Sequence, residues 1–249
     1  MSITIVLDHV THVFRNSEAS ITALSDVCFT VAPGTRLSIV GPSGCGKSTL
    51  IALIAGLITP TQGEVRVNGS LPAPGVCAVG FQSDSVFPWL TVRDNISYGL
   101  RLRGELSPQD EQQVSEWLEA TELAAFANYW PRELSGGMRK RVELARALVS
   151  RPAAIGLDEP FVSVDALTRQ DLQVFLLRLL AATPMTTVLV THDVEEAILL
   201  GTHVAVMSKR PGTIRTIIPV TLDHNRPPET RFCPEFLAIR AMVEQTLRE

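Results

Sequence analysis

An α/β fold organised around a parallel sheet is predicted for this 249-residue chain by three observations. Gly41-Pro42-Ser43-Gly44-Cys45-Gly46-Lys47-Ser48-Thr49 is a complete G-x-x-x-x-G-K-[ST] loop between the apolar run 37–40 and the helix-like run 50–54, which is the strand-loop-helix context of a phosphate-binding loop. Residues 155–158 and 187–190 read as buried strands flanking Leu172, Phe175, Leu176, Leu179 and Leu180, spaced as one face of a helix. Strand and helix alternating in this way pair in parallel. The first eighty residues are β-rich instead, with strands expected at 3–9, 27–31, 37–40, 64–67 and 76–80, broken by Pro33-Gly34, 60–63 and Asn68-Gly69.

From Thr91 to Leu148 the periodicity turns helical. After Thr221 come Arg226-Pro227-Pro228 and a last amphipathic stretch with Phe236, Ile239, Val243 and Leu247 on one face. Net charge is −4 with three lysines, which argues against a nucleic-acid partner. The cluster Arg139-Lys140-Arg141 is expected to be a solvated helix face. Residues 1–7 lack the basic region and cleavage site of a secretion signal and read as a first strand. No run of about 18 uninterrupted apolar residues is present, so no membrane span is expected. Cys28, Cys45, Cys77 and Cys233 have no C-x-x-C spacing, which argues against a metal cage and fits reduced thiols.

The phosphate loop implies a nucleoside triphosphate. Backbone N–H groups curl around the phosphates, Lys47 reaches the β and γ phosphates, and Ser48 can ligate Mg²⁺. Asp158 and Glu159 end an apolar strand, Gln82 follows another, and His192 follows a third. His9, His12, His203 and His224 lack that context and are expected to be structural or solvent-facing.

Six motifs in order resemble those of the ATP-binding subunits of ABC transporters, over essentially the whole chain: the loop at 41–49, Phe81-Gln82, Leu134-Ser135-Gly136-Gly137-Met138, Asp158-Glu159, a segment ending at Asp165, and Thr191-His192-Asp193. The resemblance implies a mixed-sheet core at 1–83 and 151–221 with an antiparallel β edge, a helical subdomain inserted at about 84–150, and a short tail at 222–249. It implies Glu159 as general base, with Lys47, Gln82 and His192 completing the catalytic set. Asp158, Ser48 and Gln82 would hold Mg²⁺, and Phe14 would stack on adenine unless it is a core phenylalanine. Ser135, Gly136, Gly137 and Asp165 would meet ATP held by a second cassette in a head-to-tail dimer.

Met138, Lys140, Gly156 and Phe161-Val162-Ser163-Val164 depart from the usual pattern without removing a charge or hydroxyl that the chemistry needs. Phe87-Pro88-Trp89-Leu90-Thr91-Val92, Asp158 to Phe161 with Asp165 to Arg169, and Lys209-Arg210-Pro211-Gly212 resemble the branch that imports nitrate, sulfonates and taurine. That implies transmembrane permease subunits docking near Asp84 to Trp89, a separate solute-binding protein, and a place on the cytoplasmic face of the membrane. The competing readings are a soluble ABC ATPase acting on DNA, ribosomes or Fe–S assembly, and a P-loop kinase. Glu133 follows Lys47 by only 86 positions, which leaves no room for the coiled coil of the chromosome type, and a kinase would lack the Leu-Ser-Gly-Gly loop. Cys45, among loop N–H groups and beside Lys47, is expected to favour its thiolate.

Overall fold

Two sheets carry the strands in the computed structural model, which describes residues 2–15, 20–73, 75–82, 85–162, 164–183, 185–223 and 226–249. Strands β1 (Ile5–Arg15), β2 (Ser20–Val31) and β4 (Gln62–Val67) form an antiparallel sheet in the order β2-β1-β4. Strands β3 (Arg36–Val40), β5 (Cys77–Gly80), β6 (Ala154–Asp158), β7 (Thr186–Thr191), β8 (His203–Met207) and β9 (Ile214–Pro219) form the second, in the order β5-β6-β7-β3-β8-β9. β6, β7, β3 and β8 pair in parallel and β8 with β9 antiparallel. The sheet is therefore mixed, with the antiparallel edge anticipated near the N-terminus forming a sheet of its own.

The helices are α1 (Lys47–Ile54), α2 (Val92–Arg101), α3 (Pro108–Ala120), α4 (Gly136–Leu148), α5 (Ala166–Ala182), α6 (Val194–Leu200) and α7 (Pro234–Arg248). Their starts follow capping chemistry: Thr91, Ser107, Ser135 and Asp193 each accept a backbone N–H of the first turn. β3, β6 and β7 are buried along their whole length, as continuous apolar parallel strands are.

The chain divides into two units. The first comprises Met1–Val79, Ala153–Glu159 and Gln173–Glu249, and so includes the C-terminal tail. Its core joins Ile5, Leu7 and Val10 of β1 to Ile39, Leu50, Leu53 and Val190, because α1 packs against β6 and β7 of the large sheet and β2 and β4 of the small one. Phe236, Ile239 and Val243 of α7 bury against Val204, Val206 and Ile198, which is the face the sequence predicts. The tail is anchored by Arg226, whose Nη1 donates to the carbonyls of Ile198, Leu199 and Gly201 at 2.7, 3.1 and 2.6 Å, ending α6 with a cation. Burial pushes that guanidinium down to about 10, so it stays charged at neutral pH.

The second unit comprises Gly80–Pro152 and Pro160–Leu172. Its core brings together Val92, Ile96 and Leu100 of α2, Val114 and Leu118 of α3, and Val142, Ala145 and Val149 at α4. Met138 packs against that cluster, which accounts for an apolar residue at this position.

Candidate nucleotide site

The phosphate loop connects β3 to α1 inside the first unit, and its glycines are there because nothing larger fits. Gly46 has φ 108°, and a Cβ on it would lie 2.7 Å from Leu24 Cδ2 and 2.9 Å from the Ala23 carbonyl. A Cβ on Gly41 would meet Cys45 Sγ at 2.9 Å and Met207 Cβ at 3.0 Å. The loop is thus pressed onto β2 and the end of β8. Lys47 is buried, and its Nζ donates to the carbonyls of Gly41 and Pro42 at 2.9 and 3.1 Å. These neutral acceptors hold the ammonium at the mouth of its own loop, where a phosphate oxygen would be a stronger, charge-assisted partner.

Segment 209–212, singled out in the sequence only as a branch feature, packs on the same loop. Arg210 Nε donates to the Gly44 carbonyl at 2.9 Å. Gly212 donates to Ala23 and accepts from Ser25, and a Cβ on it would come within 2.0 Å of the Cys45 carbonyl. Arg210 and Gly212 shape this loop in a way that spacing along the chain does not reveal, because their partners lie more than 160 residues away.

β6 delivers the two carboxylates at its C-terminal end. Ser48 hydrogen-bonds to Asp158, while Asp158 Oδ1 is buried without a hydrogen-bond partner among the described residues. Burial pushes the Asp158 carboxyl above its ordinary value and Glu159 adds to this; the Ser48 bond and the Lys47 charge oppose it. Glu159 leaves the strand with φ 44°, a conformation uncommon outside glycine, and its N–H bonds to the Val190 carbonyl at 2.9 Å. Its Oε2 lies 3.2 Å from His192 Nδ1, the carboxylate mostly buried and the imidazole 56% exposed. His192 is held by the turn into α6, where Asp193 caps the N–H groups of Glu195 and Glu196. Gly156, a departure from the usual pattern, lets α1 approach the sheet: a methyl there would meet Ile51 Cγ2 at 3.0 Å.

The first unit therefore brings together Gly41, Pro42, Ser43, Gly44, Cys45, Gly46, Lys47, Ser48, Thr49, Asp158, Glu159 and His192. Phe14 projects from β1 in the same unit, 48% exposed, with His12 edge-on at 4.6 Å. That is an accessible ring and not a core phenylalanine. Cys45 is a correction: it is buried, and burial pushes its thiol above the ordinary value, outweighing Lys47, the loop N–H groups and Arg210. A thiolate is not favoured there.

The second unit holds the rest. Gln82 lies two residues beyond β5 and is exposed. Ser135 caps α4 by accepting the Met138 N–H at 3.2 Å, and Gly137 is closed off by Thr168, 2.5 Å from where its Cβ would be. A Cβ on Gly136 would have only an Arg139 nitrogen, at 3.9 Å, in ordinary contact. With Thr168 and Asp171, Ser135, Gly137 and Met138 line a cavity of about 260 Å³. Asp165 Oδ1 accepts the Thr168 N–H at 3.1 Å at the start of α5, and its bonds with Thr168 hold its carboxyl below the usual carboxylate range.

The basic cluster on α4 is a second correction, because it is not a solvated face. Lys140 and Glu143 are both buried and paired at 2.6 Å. Arg139 donates to the Leu134 carbonyl, and Arg141 to Thr121 and Glu122. Glu143 also accepts the Ser85 N–H, Arg146 donates to Ser85 Oγ at 2.7 Å, and the Arg146 guanidinium sits 4.5 Å from the Phe87 ring centre. Fully buried Asn95 accepts the Phe87 N–H at 2.8 Å and lies within hydrogen-bond distance of the Phe87, Leu90 and Thr91 carbonyls. Residues 85–91 are thereby tied to α4 and α2 while Trp89 stays 66% exposed. Asp84, Ser163 and His224, named in the sequence reading, lie outside the described residues.

A glycine-lined phosphate loop, a buried lysine, a serine-aspartate pair and a strand-end glutamate define a P-loop nucleotide-binding protein of the ATPase class. Residues 24–162 match the ABC transporter family model, and the chain belongs to that family. It is 43% identical to the aliphatic sulfonates import ATP-binding protein SsuB of Bacillus subtilis, covering 89% of this chain and 86% of that one. It is 45% identical to the taurine import ATP-binding protein TauB of Pelagibacter ubique, over 77% and 73% of the two chains. The fold matches the ATP-binding cassette MJ0796, solved as a dimer in a post-hydrolysis state with ADP and Pi, at TM-score 0.75 and 31% identity, over 88% of this chain and all of that one. The chain is an ATP-binding cassette that hydrolyses ATP. Among the described residues no helix is long and apolar enough to cross a membrane.

Proposed function

We propose that this chain is the ATP-hydrolysing subunit of an importer for a small organic anion of the sulfonate type, working as a pair of cassettes beneath a permease on the cytoplasmic face of the membrane. The observation that carries the reading is the Glu159–His192 contact at 3.2 Å in the same unit as Lys47, Ser48 and Asp158. Importer function and solute class are supported by the two relatives, whose names specify sulfonate and taurine import.

In this reading the loop N–H groups and Lys47 take the β and γ phosphates, Lys47 exchanging two carbonyls for phosphate oxygens. Phe14 offers its exposed face to adenine. Ser48 and Asp158 fit a magnesium ion, because a hydroxyl and a carboxylate are already paired there and a second carboxylate oxygen is buried without a partner. When bound, that ion neutralises charge on the transferring phosphoryl group. Glu159 accepts the proton of the attacking water, and His192 orients that carboxylate and contacts the γ phosphate. Gln82 completes the water and metal contacts. Ser135, Gly136, Gly137 and Asp165 serve the ATP of the second cassette, so neither chain hydrolyses alone. The surface ending at Trp89 receives the permease, and a solute-binding protein supplies the anion from outside.

Glu159→Gln tests the assignment, because the amide keeps the shape and cannot accept the proton. Turnover should fall by about 10²–10⁴-fold with ATP affinity retained and an ATP-dependent dimer accumulating in size-exclusion chromatography. Wild-type turnover in this variant would remove Glu159 as the base. Purifying the chain with its membrane partners and identifying the ligand held by the associated binding protein tests the solute class.

A further inference from the structure

Away from the nucleotide site, Asp8, His9 and Cys28 bring one ligand atom each within 4.8 Å of one another on the exposed side of the β1–β2 hairpin. Asp8 and His9 are consecutive, and on a regular strand consecutive side chains point to opposite faces. Here the register slips: Leu7 faces Phe29 and Val10 faces Val27, so Asp8 and His9 together oppose Cys28. His9 takes φ 48° at this bulge, which turns two neighbouring side chains to one side. β4 accommodates the kink with Gly63, where a Cβ would lie 2.2 Å from the His9 carbonyl and 2.4 Å from that of Asp8.

A fourth residue orients the set. Asp26, itself at φ 51° and with its N–H bonded to Thr11 Oγ1 at 3.0 Å, places Oδ1 2.6 Å from His9 Nδ1. A carboxylate on one imidazole nitrogen fixes the tautomer and leaves Nε2 to bind, which is the outer-shell arrangement of histidine metal ligands. We propose that Asp8, His9 and Cys28 form a binding site for one divalent ion of the zinc type, with Asp26 holding His9 in its ligating tautomer. The mixed oxygen, nitrogen and sulfur set selects a borderline-soft ion over magnesium or calcium, which take oxygen ligands. Three protein ligands leave a fourth tetrahedral position for water. Cys28 binds as thiolate and His9 as neutral imidazole, so the thiol proton and any proton held by the imidazole pass to solvent on binding. The ion would staple β1 to β2, the strand whose Leu24 packs on Gly46 of the phosphate loop. The absence of C-x-x-C spacing is no obstacle, because the ligands come from opposing strands.

Cobalt(II) titration of the reduced, chelator-treated full chain without nucleotide tests the site. The expected result is a near-ultraviolet thiolate-to-cobalt charge-transfer absorption that saturates at one ion per chain and is displaced by Zn²⁺. Ser48 and Asp158 offer only oxygens and give no such band. Cys28→Ser should abolish it with the other three cysteines still present, and Asp26→Asn should weaken binding about 10–100-fold. No band in the wild type, or an equal band in Cys28→Ser, would overturn the site. Unchanged affinity in Asp26→Asn would overturn the orienting role.

Discussion

The phosphate loop and helix α4, which begins within the Leu134–Met138 signature motif, are held in place by opposite means. Around 41–47 the loop is shaped by absence: Gly41, Gly46 and Gly212 lie where a single methyl would collide with Cys45, Leu24, Ala23 or Met207. Along α4 the shaping is done by presence, through Glu143, Arg146 and the neighbouring Asn95, whose polar atoms reach residues 85–91, with Lys140 paired to Glu143. A site that works through backbone N–H groups needs the chain brought close, which favours glycine. A helix that must govern a neighbouring loop needs long side chains with buried, satisfied ends.

That contrast is sharpest at Glu143. Glu143→Ala removes the partner of a buried ammonium and the acceptor of the Ser85 N–H together, and such an unpaired buried charge costs about 3–5 kcal/mol. Chemical denaturation should show this loss. The double variant Lys140→Gln with Glu143→Ala should be more stable than Glu143→Ala alone, since no charge is left behind. If the double variant were the less stable of the two, the pair would not be a mutually satisfied ion pair and the contrast would fail.

The glycine side is broken at Gly46. Gly46→Ala adds left-handed strain of about 1–3 kcal/mol to a collision with Leu24 and the Ala23 carbonyl, so ATP affinity should drop on the order of a hundredfold. Gly136→Ala is the matching control on α4, where the nearest atom to the new methyl would be an Arg139 nitrogen at 3.9 Å. It should leave monomer stability and ATP binding unchanged in isothermal titration. Equal damage from both substitutions would mean that neither glycine is there for its packing.

Much of this was legible in the sequence, and the reasons differ by element. The buried strands at 155–158 and 187–190 and the helix between them carry unbroken apolar patterns, and they fold as β6, β7 and α5. The pattern places a first strand at 3–9, whereas β1 continues to Arg15, because register slips after Leu7, Val10 and His12 disrupt the period-two alternation that marks a strand. Phe14 was legible as an aromatic but not as an exposed one. Asn95, Arg146 and Arg226 were invisible as anchors, since polar residues on helices or in tails read as surface until their carbonyl partners are known. The basic run at 139–141 looks solvated in sequence for the same reason: charge alone does not say that Glu143 waits one turn away to pair with Lys140.

A smaller effect on stability is expected at Ser135, an exposed residue of the signature motif whose hydroxyl caps α4. Ser135→Ala should cost about 1 kcal/mol of stability, the ordinary value of a lost helix cap. Ser135→Arg should leave ATP binding to the monomer intact and block turnover by preventing dimer closure. Normal hydrolysis by Ser135→Arg would show that the signature loop works without a second nucleotide site opposite it.

The smallest effect is expected at Cys45, and it tests whether close packing can silence a reactive position. Lys47, the loop N–H groups and Arg210 all favour a thiolate at Cys45, but burial outweighs them and pushes the thiol up. Reactivity needs both thiolate and access, and here the side chain is 1% exposed under Gly41. A maleimide added to the nucleotide-free protein should therefore label exposed Cys28 first and leave Cys45 unmodified while the fold is intact, as mass spectrometry of the peptides would show. Cys45→Ser should then inactivate no more slowly than wild type under the reagent. Rapid labelling of Cys45 with Mg-ATP protection would mean that the phosphate loop opens readily around it, and that glycine packing here permits motion instead of enforcing position.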